Sequence, residues 1–206
     1  MTDVLLVRHG ETVWHADNRY AGRTDVALTP RGRRQAAALA EWAARERPDA
    51  VYSSPLSRAR LTAAPAAEAL GVTVREDPRL REVDFGRGEG LTRAEMRARF
   101  PDALDAFLVD PVAHHLPDGE DPGAATARAR ACLDEMAAAF PDGRVLVVAH
   151  STLLRLLLCD LLGIPLSAYR RVFPQVINGA LTELRLRDGQ SALLRLNVPT
   201  AGTHTS

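Results

Sequence analysis

Two arginines and two histidines stand where this chain could do chemistry on an anion. Arg8 and His9 follow the apolar run Val4–Val7, Arg58 lies just after Ser54-Pro55, and His150 closes the apolar run Val145–Ala149. The planar guanidinium fork suits phosphate or carboxylate. A phosphoryl group carries about two negative charges near neutral pH, which Arg8 and Arg58 together match without a metal. An imidazole in such a pocket can be a neutral nucleophile toward phosphorus, forming a covalent phosphohistidine, or a protonated donor to the phosphoryl oxygens.

The elements that must position these groups alternate strand and helix. Val4–Val7 reads as a buried strand stopped by Arg8-His9-Gly10, followed by a polar loop of about twenty residues, long enough to suggest function. Thr29-Pro30 caps a helix over about 30–46, and Ala50-Val51-Tyr52 is a second strand. Ser54-Pro55 is read as the cap of a helix running to about Leu70 and ended by Gly71, with a third strand at Val72–Val74. Residues 84–121, with a capping box at Thr92–Glu95 and a helix start at Pro101, read as an irregular insert over one face of the sheet. Asp121-Pro122 opens a helix to about Phe140, Val145–Ala149 is the strongest strand, and an apolar helix spans 153–162. Leu181–Leu186 and Ala192–Leu196 form a closing hairpin about Asp188-Gly189. The pattern predicts an α/β three-layer sandwich with a mainly parallel central sheet, residues 1–206 forming one domain. In such sheets sites form beyond the carboxyl ends of the strands, where these four residues fall. Backbone N–H groups opening the helix after His150 would add donors for an anion.

Composition narrows the partners. Formal net charge is zero, which gives no overall field for nucleic acid or a membrane surface. All 26 basic residues are arginine, so chemistry that needs a lysine amine is excluded. Cys132 and Cys159 sit in apolar helical patterns and read as core. The adjacent His114-His115 point apart and complete no metal set. The apolar stretch Val4–Val7 is too short for a signal peptide, and no run approaches the roughly 18 residues of a membrane span. A soluble cytoplasmic protein without metal or other cofactor is expected; oligomeric state stays open and admits a homodimer.

The run Leu6-Val7-Arg8-His9-Gly10-Glu11-Thr12 resembles the RHGE(T) signature of the histidine phosphatase, or phosphoglycerate mutase-like, superfamily. The similarity continues through Leu28-Thr29-Pro30-Arg31-Gly32 with Gln35-Ala36, Ser53–Ala59 with Thr62-Ala63, Leu80–Gly86 with Glu89-Gly90, and Val147–His150. Five blocks in order cover nearly the whole chain. The resemblance implies that His9 is the phosphorylated nucleophile, that Arg8, Arg58 and His150 surround the phosphate, and that Glu82 protonates the leaving oxygen and then activates water. It also implies the family's fold, with the 84–121 insert as substrate cap. Ser151, His15 and Gly22 are further candidate phosphate contacts. His15 departs from the family's usual Asn and would bring a third imidazole or leave a gap, while Ser151-Thr152 replace a glycine and would narrow the pocket. Glu11 is expected to hold its loop; Arg19 and Arg23 form a solvated face or greet an anionic substrate.

The short chain and the LREVDFGRGEG pattern around Glu82 favour the phosphatase branch: metal-independent hydrolysis of a small phosphorylated metabolite. The alternatives are a phosphoglycerate mutase and a non-catalytic phosphate-binding regulator.

Overall fold

The computed structural model describes residues 1–200. In chain order these form β1 (Thr2–Arg8), α1 (Pro30–Glu46), β2 (Ala50–Ser53), α2 (Ser57–Leu70), β3 (Val74–Glu76), α3 (Arg93–Arg99), α4 (Pro101–Val109), α5 (Pro122–Ala139), β4 (Arg144–Ala149), α6 (Ser151–Leu161), α7 (Tyr169–Val172), β5 (Leu181–Arg187) and β6 (Gln190–Val198). Among the described residues the strands make one sheet in the order β3-β2-β4-β1-β5-β6. β3, β2, β4 and β1 run parallel; β5 and β6 are the antiparallel hairpin at one edge.

The two central strands, β1 and β4, are apolar on both faces because helices cover both. Val4, Leu6, Val145 and Val147 pack with Leu133 of α5 and with Leu153 and Leu157 of α6. Leu5, Val7, Leu146 and Val148 turn the other way, against Leu39 and Ala43 of α1 and Ala59 and Ala63 of α2. Alternation of side chains along a strand thus builds the two outer layers of the sandwich.

Boundaries depart from the sequence reading in four places. First, Ser54 does not cap α2: its N–H still bonds to Val148 O at 3.0 Å, so the chain has not yet left the sheet, and the helix starts at Ser57. Second, the third strand begins at Val74, because Gly71 and Val72 are consumed in closing α2, with Val72 N donating to Ala67 O at 3.0 Å. Third, α6 starts at Ser151, two residues early, since an acceptor from elsewhere in the chain caps it. Fourth, the short turn Leu166–Ala168 and α7 have no counterpart in the sequence reading; one helical turn is too short to show a period.

The 84–121 segment is more ordered than expected. Phe85, Leu91, Met96, Leu104, Phe107 and Leu116 form a buried cluster of their own, with Tyr20 of the long polar loop packed against it. Helices of two turns offered too little periodicity to reveal this cluster.

The loop behind His9 is docked on the start of α1. Thr29 caps that helix, accepting from Gly32 N at 3.0 Å, while its hydroxyl donates to Glu11 Oε1 at 2.8 Å. Glu11 N donates to Gln35 Oε1 at 2.8 Å, so Glu11 does hold the loop. A Cβ on Gly32 would stand 2.1 Å from Glu11 O, which is why the approach needs glycine. Replacing Thr29 by Ala is expected to cost about 0.5–2 kcal/mol. Urea midpoints of the two proteins check this, and an unchanged midpoint would show that the cap contributes nothing.

Candidate active site

The parallel register of β1 and β4 ends both strands at the same level, pairing Arg8 with Ala149, so the next residue of each strand is a histidine. The rings of His9 and His150 lie 5.2 Å apart. His9 Nδ1 is 2.7 Å from Gly10 O. A carbonyl can only accept, so the ring proton sits on Nδ1 and the Nε2 lone pair is free. His9 lines a cavity of about 680 Å³ together with Arg8, His15, Glu82 and Ser151. Thr62 secures this loop to α2, accepting from Gly10 N at 2.9 Å and donating to Arg58 O at 2.7 Å.

Arg58, in the first turn of α2, is completely buried. Its Nη1 donates to Thr24 O at 2.7 Å, its Nη2 to Ala21 O at 3.1 Å and Gly22 O at 2.8 Å, and its Nε to His150 Nδ1 at 3.3 Å. Only one of the five N–H groups of a guanidinium is then left for a ligand. Arg58 therefore acts largely from behind the cavity wall, a deeper position than the sequence reading gave it. Because His150 Nδ1 accepts from a donor-only group, its proton is on Nε2. That Nε2 and Arg8 Nε are both buried without a hydrogen-bond partner, two orphaned donors beside His9.

The electrostatics of this group are set by burial among positive charges. The His9 and His150 imidazoles are held well below the usual 6.5, first by burial and then by the Arg58 guanidinium. Both are neutral at physiological pH, so His150 offers an uncharged Nε2–H donor in place of the expected imidazolium. Arg8 is lowered to about 10, mainly by burial, and stays charged.

Glu82 supplies the unexpected cap of α6. Its Oε2 accepts from Thr152 N at 3.0 Å and its Oε1 from Leu153 N at 2.8 Å and Val83 N at 3.0 Å. These helix N–H groups, expected to cradle an anionic ligand, are thus already committed to a carboxylate. Burial nonetheless raises the Glu82 carboxyl above its usual 4.5, against the pull of those three bonds. Arg128 fixes the segment, donating to Arg81 O at 2.8 Å and Glu82 O at 3.2 Å while paired with Glu120 at 2.8 Å.

His15 leaves no gap. Its Nε2 lies 2.8 Å from Arg8 Nη2 and 3.3 Å from Asn178 Nδ2, and its Nδ1 lies 2.8 Å from Thr12 Oγ1. Thr12 N also points at Nδ1, at 3.0 Å, but the guanidinium can only donate, so Nε2 accepts and the proton sits on Nδ1. Burial first, and Arg8 next, lower the His15 imidazole, which is a neutral acceptor buttressing Arg8.

Gly22 donates its N–H to Glu89 at 2.9 Å and its carbonyl accepts from Arg58, so both of its backbone groups are spent within the protein. A Cβ there would meet Val83 O at 2.7 Å. Arg19 lines the cavity but is paired with Glu95 at 2.8 Å, and Arg23 is paired with Asp84 at 3.1 Å. Asn178, which donates to His9 O at 2.7 Å, escaped the sequence reading because nothing local marks it.

Comparison with known proteins agrees with this geometry. The family model of the histidine phosphatase superfamily (branch 1) matches residues 4–199. Phosphoserine phosphatase 1 of Hydrogenobacter thermophilus is 31% identical over 198 residues, 96% of this chain and 93% of that protein. A probable phosphoglycerate mutase of Erwinia tasmaniensis is 35% identical over 172 residues, 84% of this chain and 80% of its own. The solved structure of mycobacterial glucosyl-3-phosphoglycerate phosphatase in complex with VO3 superposes with a TM-score of 0.86 at 32% identity, covering 95% of this chain and 99% of that one. The chain belongs to the histidine phosphatase superfamily. It is a phosphatase of that superfamily, a phosphomonoesterase with a phosphoglycerate mutase-like fold. Among the described residues no helix is long and apolar enough to cross a membrane.

The depressed imidazoles make stability depend on pH with a definite sign. An unfolded histidine takes up its proton near 6.5, whereas folded His9 and His150 do so only at lower pH, so acidification below about 6.5 favours the unfolded chain. The melting temperature should fall from neutral pH through this window, and His150→Gln should fall less steeply. Equal slopes for the two proteins would contradict the assignment for His150.

Proposed function

We propose that the protein hydrolyses small phosphomonoesters through a phosphohistidine on His9. The observation that carries this is the free Nε2 lone pair of His9, flanked by two unpartnered buried donors, Arg8 Nε and His150 Nε2. A phosphoryl group seated there gives both donors an oxygen to bind. Donors fixed in advance at a site of developing charge supply most of the stabilisation in such reactions.

In the first step His9 Nε2 attacks phosphorus, the ester P–O bond breaks, and the proton of Glu82 goes to the departing alkoxide oxygen. The Nδ1–H bond to Gly10 O steadies the positive ring that results. In the second step the Glu82 carboxylate takes a proton from water as the water oxygen attacks the phosphorus. The N–P bond then breaks, returning neutral His9, protonated Glu82 and inorganic phosphate. The buried Glu82, raised above 4.5, suits a group that must donate and then accept. The segment 84–121, whose Phe85, Thr92 and Arg93 line the cavity with His9, acts as the substrate cap. Hydrolysis is preferred over transfer because the relatives named above include two phosphatases of nearly full-length overlap.

His9→Ala is expected to abolish turnover of p-nitrophenyl phosphate, while EDTA leaves the parent protein unaffected. An acid-labile, alkali-stable phosphoryl adduct missing from His9→Ala would identify the intermediate; its absence from the parent would contradict the scheme. Glu82→Gln should lose about 10²–10⁴-fold with an alkyl phosphate, and less with p-nitrophenyl phosphate, whose leaving group needs little protonation. Equal losses would remove Glu82 as the acid. Interconversion of phosphoglycerates with a bisphosphate primer, faster than hydrolysis, would instead make the enzyme a mutase. The pH profile of kcat/KM should be a bell, with an acid limb from His9 below 6.5 and an alkaline limb from Glu82 above 4.5.

A further inference from the structure

The cavity has a second cationic wall that the scheme above does not use. Arg155 of α6 and Arg170 of α7 both line it, and both lie against the ring of Tyr169, with guanidinium carbons 5.0 Å and 5.5 Å from its centroid. Arg170 is also 4.5 Å from the Phe107 ring. Arg155 donates from Nε to Phe173 O at 2.6 Å and from Nη2 to Pro174 O at 3.2 Å. Arg170 donates from Nε to Tyr169 Oη at 3.0 Å and from Nη1 to Phe107 O at 3.3 Å. Among the described residues Arg155 Nη1 and Arg170 Nη2 have no such bond.

Neither guanidinium has a carboxylate within ion-pair distance among the described residues. Several arginines elsewhere in this chain do: Arg79 pairs with Asp77 and Glu135, Arg130 with Asp134 and Asp160, and Arg185 with Asp3. Two cations held on one aromatic ring without a counter-charge repel each other, a cost that an anionic ligand removes. The guanidinium of Arg155 is lowered by burial, with Arg170 adding to the effect, as expected of such a juxtaposition. Arg155 is held through Nε and Nη2 and Arg170 through Nε and Nη1, which leaves Arg155 Nη1 and Arg170 Nη2 for a ligand. The cavity, at about 680 Å³, lies within the range typical of metabolite-sized ligands and exceeds what one phosphoryl group needs.

We infer that the substrate's alcohol part carries a second anionic group, a carboxylate or a further phosphate, which Arg155 and Arg170 bind while His9 attacks the first phosphoryl group. This rests on the phosphatase reading and narrows its substrate class to phosphomonoesters of acidic alcohols. Arg155 and Arg170 are then specificity residues, remote from the reacting bond.

The test compares matched pairs. The carboxylate arm sets 3-phosphoglycerate against glycerol 3-phosphate; the phosphate arm sets fructose 1,6-bisphosphate against fructose 6-phosphate. In at least one arm the acidic member should be favoured about tenfold or more in kcat/KM, the size expected of one charged hydrogen-bonded contact. The arm that discriminates names the anion. Arg170→Gln and Arg155→Gln should each collapse that ratio, with Arg170→Lys keeping part of it. Ratios near one in both arms, or a ratio untouched by Arg170→Gln, would overturn the inference. His9-dependent hydrolysis of p-nitrophenyl phosphate reports the phosphatase reading separately. If that hydrolysis fails, calorimetric affinities of the same pairs for His9→Ala still decide whether the second anion is bound.

Discussion

A fully buried guanidinium, without an ion-pair partner among the described residues, is the constraint around which the site is organised. Taking Arg58 out of water is costly unless its donors are satisfied. The chain satisfies them with the carbonyls of Ala21, Gly22 and Thr24 and with His150 Nδ1. Hydrogen bonds to a charged group contribute about 1.5–3 kcal/mol each, so this cluster determines where the long polar loop runs. The same charge depresses His9 and His150 together and keeps both imidazoles neutral.

The proposed acid and base roles then follow from environment. His9 and Glu82 share one cavity, yet the imidazole is pushed down and the carboxyl up. Burial acts on both in the direction of the uncharged form. The two shifts are opposite in sign, and together they favour the neutral imidazole and the protonated carboxyl that the proposed scheme needs at its start. The amino end of α6 contributes indirectly, through the carboxylate it grips, so the rigidity of a helix terminus is transferred to Glu82.

Arg8, His9 and His150 come from the ends of β1 and β4 and Arg58 from the start of α2, elements anchored in the two main apolar clusters. The outer walls come from the polar loop around Trp14–Ala21, from α3, from α7 and from residues just after Glu82. Tyr20, Phe85 and, from α3, Met96 belong with the separate small cluster, whereas Tyr169 of α7 is part of the larger core.

Much of this was legible along the chain. The apolar runs Val4–Val7 and Val145–Ala149 marked the central strands, because burial on both faces leaves no polar alternation. Thr29, Gly71 and Thr92 marked helix ends through capping chemistry that acts within a few residues. The ordered blocks around Arg8-His9, Arg58, Glu82 and His150 identified the family and its candidate site residues. What the chain could not express is where each donor is spent. Gly22 faces Glu89, the α6 N–H groups face Glu82, Arg58 turns from the cavity to three carbonyls, and Asn178 arrives beside His9 from 169 residues away. Local bonding leaves its mark in neighbouring residues, so the sequence by itself determined the elements and the chemical identity of the site. Hydrogen-bond partners and protonation states depend on burial and on charges brought together from distant segments, and only the tertiary structure decided those.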